Sequence, residues 1–429
     1  MTISSHHSDP HDKKLVVLSL SGSGSYILQH MGTLAALHDN GIVNLDVDKT
    51  EVVAYQALSG GSMVAAMANA GLLCGFSNRV KDRIRKSSFS EKYKKHLMEG
   101  FERTKESSLS RVKFLANELG EWEDSELSWK LSKNWLSQIW GVWRHGGKFD
   151  LKSAWTKIWE LMPKTYCSPE WASPMVVYGW KQNNQSPVLW ANKKGIIHKT
   201  SPYKYHVVMD EDTPTWLPIV ASCSVPIACR PVRHKFKGSS YIFHDPPPKD
   251  HEDNVFDGAL LDNNPDQYLL GAKGYAHLTA KDTCGCILSV ESVDIISDNS
   301  TQGYYMGNYT PTPPDSWWRW LFLINLYQII KGSLLGLLRS KRIEHIADTL
   351  ARQINESDDH IFMILNNKVD VSKKFKEFEK IKIPDSTQFT GWTKMQAMAA
   401  ITQGYESTLE ALKEQKTMDN MLKHTGRSI

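Results

Sequence analysis

Residues 52–67, VVAYQALSGGSMVAAM, join two segments of different character through a very short turn. The first segment, residues 52–58, is apolar and partly β-branched, as in a strand that is buried on both faces of a parallel sheet. After Ser59 and two glycines, small apolar residues continue over residues 63–73 and predict a helix. The turn therefore has two interpretations. It lets a strand and a helix pack closely, or it also presents Ser59 above the sheet as a nucleophile.

A similar unit precedes this one. Residues 14–21, KLVVLSLS, predict a buried strand, a Gly/Ser turn follows, and residues 27–38 have helical spacing with Gly41 as a stop. Two such units near the start of the chain predict an α/β fold with a mostly parallel sheet. Further strands are predicted at residues 174–179, 205–209, 286–290 and 360–365, and a closing helix at 393–416.

The composition is that of a folded protein, with 41% hydrophobic and 23% charged residues among 429. A net charge of +4 is too small to indicate a nucleic-acid partner. Six cysteines without disulfide or zinc spacing predict reduced thiols. Residues 1–13 show no signal sequence, so we expect a cytoplasmic protein. We also expect these residues to form a disordered tail and residues 14–429 to form one domain.

Residues 77–170 differ from their surroundings and predict a helical insertion. Residues 79–113 hold twelve Lys and Arg against five Asp and Glu. The remainder holds seven of the fifteen tryptophans: Trp122, Trp129, Trp135, Trp140, Trp143, Trp155 and Trp159. One interpretation is that these tryptophans pack on the sheet. The other is a cap that faces a membrane, where Trp suits the interface and each cation attracts anionic headgroups by about 1 kcal/mol.

Residues 316–338, SWWRWLFLINLYQIIKGSLLGLL, form a long, mainly apolar stretch. A membrane-spanning helix needs about 20 mainly apolar residues. Here Arg319, Asn325, Gln328 and Lys331 interrupt the run. A packed or an interfacial helix is therefore favoured over a true span.

A serine attacks a carbonyl only when a base takes its proton and donors stabilise the resulting oxyanion. The Gly-rich corner within residues 19–32, SLSGSGSYILQHMG, offers such donors, because Gly22, Ser23 and Gly24 can aim backbone N–H groups at one point. The alternative is a phosphate-binding turn. Neither the lysine of a P-loop nor GxGxxG spacing is present, which disfavours that alternative.

A candidate base lies in residues 255–265, VFDGALLDNNP. Asp257 suits this role if its carboxylate lies within hydrogen-bond reach of Ser59. The alternative is that Asp257 and Gly258 form a plain turn.

Together these blocks resemble the patatin-like phospholipases and the catalytic domains of cytosolic phospholipases A2. Residues 58–62, LSGGS, are similar to the Gly-Leu-Ser-Gly-Ser elbow of the latter, and DGALLDNNP is similar to the Asp-Gly block of patatins. Residues 221–232, ASCSVPIACRPV, resemble the segment of small residues and proline before that aspartate. Two positions depart from the pattern. Ala57 replaces the usual glycine, and residues 25–27 lack the usual Arg or Lys.

The resemblance implies a three-layer patatin-like fold, with helices on both faces of a mostly parallel sheet. It also implies a Ser59–Asp257 dyad without a catalytic histidine, metal or cofactor. Gly22, Ser23 and Gly24, helped by the N–H of Gly60, would hold the oxyanion. We therefore expect a lipid acyl hydrolase that acts on glycerophospholipids at a membrane surface. Control by an oligomer or an activating ligand is a further hypothesis.

Three alternatives remain open from the sequence. A Ser–His–Asp hydrolase would use His277 or His345 after Asp257. An acyltransferase would use the same dyad with another acceptor. A non-catalytic lipid-binding scaffold would keep only the fold.

Overall fold

The computed structural model describes residues 15–120, 147–182, 186–193, 207–225, 227–242, 246–258, 284–292, 360–365, 371–383 and 392–413. Several predictions lie outside these residues: the N-terminal tail, five of the seven tryptophans of the insertion, residues 316–338, His277 and His345.

The described strands form a large sheet and a small one. They are β1 (Leu15–Leu20), β2 (Val52–Leu58), β3 (Gly147–Phe149), β4 (Met175–Lys181), β5 (Ser186–Ala191), β6 (Val207–Val208), β7 (Ile227–Cys229), β8 (Val232–Phe236), β9 (His251–Asp257), β10 (Cys284–Ser292) and β11 (His360–Leu365). In the large sheet, β11, β10, β1, β2 and β4 are neighbours in that order and run parallel. The predicted α/β fold with a mostly parallel sheet is confirmed.

The other edge of the large sheet is mixed. β5 is antiparallel to β4, and β6 pairs in parallel with β5. β9 is antiparallel to both β4 and β8. Except for β6, these strands are missing from the sequence prediction. In β8 and β9, polar and exposed residues interrupt the apolar pattern; β8, for example, buries only its two ends. The remaining pair, β3 and β7, forms the small sheet.

The described helices are α1 (Ile27–Asp39), α2 (Gly60–Asn69), α3 (Asn78–Lys86), α4 (Glu91–Arg103), α5 (Ser108–Leu119), α6 (Leu151–Ala154), α7 (Thr156–Leu161), α8 (Trp216–Ser222), α9 (Val371–Lys374) and α10 (Lys394–Lys413). Helices α3, α4 and α5 follow Ser77, Ser90 and Ser107, whose side chains each accept the backbone N–H three residues on. Among the described residues, no helix is long and apolar enough to cross a membrane.

Most of the excess positive charge of residues 79–113 lies on side chains that are buried or half-buried. All five carboxylates there are exposed, whereas five of the twelve cationic side chains are buried or half-buried. Arg111 is fully buried and donates to the carbonyl oxygens of Gly75 and Phe101, both at 2.6 Å. Arg83 is also buried and donates to Ala70 O. The exposed surface of these helices therefore carries nearly balanced charge.

The two described tryptophans of the insertion pack on the core. Trp155 and Trp159 are half-buried against the main hydrophobic cluster, with ring centroids 6.0 Å apart and an edge-to-face arrangement. Their placement agrees with packing on the fold, which was one of the two interpretations.

Helices α1 and α10 approach each other through two glycines. A Cβ on Gly32 would lie well inside van der Waals contact with Ile401 O, and one on Gly404 inside contact with Gln29 O. The side chains of Gln29 and Gln403 join across the same contact at 2.6 Å. Helix α10 therefore closes over α1, the helix that follows the Gly-rich corner.

We expect Gly404→Ala to lower the free energy of unfolding by about 1 to 3 kcal/mol, because the added methyl group forces the two helices apart. This loss includes the opposing gain of about 1 kcal/mol that helices obtain when Ala replaces Gly. Urea unfolding measures it, with Met395→Ala at an exposed position of α10 as the control. A stabilised Gly404→Ala would contradict the close approach.

Burial of His30 in α1 predicts a pH dependence of stability. Neither ring nitrogen has a hydrogen-bond partner among the described residues, and burial lowers the pKa of His30 from 6.5 to about 4. Between these values the unfolded chain binds the proton and the folded protein does not. The free energy of unfolding should therefore fall by about 3 kcal/mol as the pH drops from 6.5 to 4.

The check is to compare urea unfolding of the wild type and His30→Leu at pH 7 and pH 4. The variant should lose less stability on acidification, by the amount assigned to His30. Equal losses in the two proteins would show that His30 does not titrate in this way.

Candidate active site

Ser59 occupies a strained turn between β2 and α2. Its φ is 49° and its ψ is −135°, and it is the one non-glycine residue with a positive φ in the described part of the chain. Such a conformation costs about 1 to 3 kcal/mol and persists only where surrounding contacts impose it. The turn is therefore more than a connection between a strand and a helix.

The hydroxyl of Ser59 points away from its helix and toward a carboxylate. Ser59 is the N-cap of α2, yet its side chain makes no capping hydrogen bond. Instead, its Oγ donates to Asp257 Oδ2 at 2.6 Å. Both residues are buried, with 4% and 2% of their surface exposed. The serines that precede α3, α4 and α5 cap their helices, so the orientation of Ser59 is particular to this turn.

The sheet brings Ser59 and Asp257 together through one edge of β4. The last residue of β2, Leu58, pairs with Tyr178, and the next position of β4, Gly179, pairs with Asp257. Because β2 runs parallel to β4 and β9 antiparallel, the two strands approach each other along this edge and their carboxyl ends meet. The nucleophile candidate follows one end, and the base candidate forms the other.

Asp257 is also fixed through its backbone. Its N–H donates to Ser224 O at 3.0 Å. A Cβ on the next residue, Gly258, would lie 2.7 Å from Tyr178 O, so the chain leaves β9 in close contact with β4. Asp257 thus belongs to a strand end, and the plain-turn interpretation does not account for its hydrogen bond to Ser59.

The Gly-rich corner lies against the start of α2. A Cβ on Gly60 would overlap the hydroxyl of Ser23 and lie 3.1 Å from Gly24 O. Gly24 has a φ of 52°, a conformation that suits glycine. The structure therefore places Ser23, Gly24 and Gly60 together beside Ser59. Gly22, the residue before Ser23, is buried in the same corner.

The Ser23 side chain has a distinctive environment. It is fully buried, and its Oγ has no hydrogen-bond partner among the described residues. A buried hydroxyl without a partner is unfavourable unless another group satisfies it. Ser23 therefore offers a donor that faces the start of α2.

Three residues to which the motif analysis assigned no role hydrogen-bond to the backbone of Ser59. The N–H of Ser59 donates to Ser222 Oγ at 2.8 Å. Its carbonyl oxygen accepts from Ser62 Oγ at 2.6 Å and from Cys223 Sγ at 2.8 Å. Ser222 and Cys223 belong to the stretch ASCSVP, whose resemblance to a family segment was the available signal, although it assigned no role to either residue.

The thiols near Asp257 are protonated. Burial, and secondly the charge of Asp257, raise the pKa of Cys223 well above its usual value. The same causes raise the pKa of Cys229 to about 12. Thiolates are the nucleophilic form of cysteine, so neither thiol competes with Ser59 for that role.

Two solved structures resemble this chain at low identity. VipD from Legionella pneumophila is 12% identical, with a TM-score of 0.35 and coverage of 96% of this chain and 67% of that one. Human GIVD cytosolic phospholipase A2 is 10% identical, with a TM-score of 0.46 and coverage of 98% of this chain and 62% of that one. The chain thus spans less than two thirds of the human structure, and both likenesses are too distant to transfer the role of a residue.

The comparison with protein families identifies the family of this chain. No curated protein sequence gives a significant match. Residues 18–270, more than half of the chain, match the family described as patatin-like phospholipase. This range includes the Gly-rich corner, the Ser59 turn and Asp257, which agrees with the resemblance found in the sequence. The chain belongs to the patatin-like phospholipase family.

Proposed function

We propose that this protein hydrolyses fatty-acyl esters of membrane glycerophospholipids through a Ser59–Asp257 dyad. The observation that carries the proposal is the 2.6 Å hydrogen bond from Ser59 Oγ to Asp257 Oδ2, made by a serine in a strained turn. Membership of a phospholipase family supports the substrate class. Among the described residues, Asp257 is the one titratable group that hydrogen-bonds to the Ser59 hydroxyl.

In the first half of the reaction, Ser59 Oγ attacks the ester carbonyl while Asp257 accepts the hydroxyl proton. The tetrahedral intermediate collapses, and the alcohol portion leaves with the proton that Asp257 returns. In the second half, Asp257 takes a proton from water, which attacks the acyl-enzyme. The fatty acid is released, and the proton returns to Ser59.

Donors for the oxyanion come from two directions. The N–H of Gly60 lies at the start of α2, where the unpaired N–H groups and the helix dipole favour negative charge. The corner formed by Gly22, Ser23 and Gly24 lies opposite, and the Ser23 hydroxyl adds a donor there. The N–H of Ser59 itself is already bonded to Ser222. The backbone donors do not require the cation that residues 25–27 lack.

The first test is fatty-acid release from mixed phospholipid vesicles. We expect Ser59→Ala and Asp257→Asn each to lower the rate by about 10³-fold or more, because one removes the nucleophile and the other the base. Ser77→Ala is the matched control, since it also removes an N-cap serine. It should cost about 1 kcal/mol of stability and leave the rate unchanged.

Equal release by the wild type and both dyad variants would reject the assignment of Ser59 and Asp257. Transfer of the acyl group to an added alcohol instead of water would show an acyltransferase that uses the same dyad. A fluorophosphonate label that reacts with the wild type and spares Ser59→Ala identifies the nucleophile independently of the lipid.

The second test concerns the packing of the two oxyanion elements. We expect Gly60→Ala to lower kcat by about 10²-fold, because its methyl group displaces Ser23 from the start of α2. Ser23→Gly in the same chain removes the clash, so the double variant should recover part of the loss. Steady-state kinetics on vesicles measure both. A double variant no faster than Gly60→Ala would contradict this steric cause.

A further inference from the structure

The strained turn at Ser59 raises the question of what holds it. The φ of 49° is unfavourable for serine, and a relaxed turn would move Oγ away from Asp257. Two of the three side chains that hydrogen-bond to the backbone N–H and carbonyl oxygen of Ser59 come from outside α2. They follow Ser59 in the sequence by more than 160 residues.

Ser222 contacts one end of this peptide. It is the last residue of α8, is fully buried, and accepts the Ser59 N–H at 2.8 Å. This bond fixes the direction of the Ser59 N–H. Without it, a buried N–H would lose its partner in the described structure.

Cys223 contacts the other end. Its Sγ lies 2.8 Å from Ser59 O, and its high pKa keeps the thiol protonated, so that it is the donor. Ser62, in the first turn of α2, donates to the same oxygen through both its side chain and its N–H. The carbonyl is therefore held from two elements, α2 and the end of α8.

The end of α8 is itself fixed relative to Asp257. The N–H of Cys223 bonds to Ile219 O at 3.0 Å, which continues the helical pattern. The next residue, Ser224, accepts the N–H of Asp257 at 3.0 Å. Consecutive residues thus contact both members of the dyad.

We propose that Ser222 and Cys223 are positioning residues, which hold the Ser59 peptide in its strained conformation and so set the distance from Ser59 Oγ to Asp257. The inference rests on the proposed function, since it assigns these side chains to the geometry of that dyad. Neither residue takes part in proton transfer or contacts the acyl group. Their effect is on the rate of the chemical step.

The experiment compares Ser222→Ala with Ser173→Ala in the full chain. Ser173 is also a buried serine, and its Oγ donates to the carbonyl of Val52 at the opposite end of β2. Both changes remove one buried hydrogen bond to the backbone around this strand. They differ in their distance from Ser59, so the second variant corrects for a general loss of stability.

We expect Ser222→Ala to lower kcat and the rate of fluorophosphonate labelling about 10- to 100-fold with an unchanged KM. Ser173→Ala should keep wild-type values for all three. Hydrogen exchange of the peptide that contains the Ser59 amide should be faster in Ser222→Ala only. If the two variants label at the same rate, Ser222 has no positioning role.

A second pair of variants tests Cys223, and it decides the proposal if Ser222→Ala does not fold. Cys223→Ser keeps a donor and should retain labelling within about 5-fold, whereas Cys223→Ala should lose about 10-fold. Equal rates for these two variants would overturn the role of the thiol. A wild type that is not labelled at all would instead overturn the proposed function.

Discussion

The site depends on the meeting of two strands on one edge of β4. β2 reaches Tyr178 from one direction, and β9 reaches Gly179 from the other. Neighbouring pairs in a sheet lie only a few ångströms apart, so the residues at the two ends are brought within hydrogen-bond reach. The polar contacts of the dyad follow from this placement. A strand that continued past either position would exclude the other.

The same constraint explains why small residues surround the site. Helix α2 starts directly after β2 and lies against the Gly-rich corner, so Gly60 and Gly61 have no space for a side chain. Ser23 keeps one, and its hydroxyl occupies the contact. Ala57 is fully buried in β2 and is accommodated where the related motif has glycine. The same turn therefore combines close packing with the hydrogen bond from Ser59 to Asp257.

Local signals in the sequence were sufficient for the parallel strands. β2 and β11 have the predicted bounds because both are continuous apolar runs, the pattern expected of strands in a parallel sheet. β8 and β9 were missed because charged and exposed residues interrupt them. The pairing of β9 with β4, and of β8 with β9, is a long-range contact that periodicity does not encode. Asp257 was therefore identified through its motif, while its distance from Ser59 required the fold.

The environment of individual side chains could likewise not be predicted from the sequence. The excess of Lys and Arg in residues 79–113 gives no indication that Arg111 is buried and donates to the carbonyl oxygens of Gly75 and Phe101. Ser222 and Cys223 resemble ordinary small core residues until the end of α8 is placed beside Ser59. In both cases the partner is a backbone group whose position depends on tertiary packing.

The order of the dyad along the chain has a consequence for biosynthesis. Ser59 and Asp257 are 198 residues apart, and the Ser222 contact spans 163. While the chain is being synthesised, the serine emerges from the ribosome long before its base. Loop closure over such distances also places assembly of the site late in folding. Under the proposed function, a nascent chain or an N-terminal fragment would contain the nucleophile without its base, so hydrolysis would begin only when the sheet is complete.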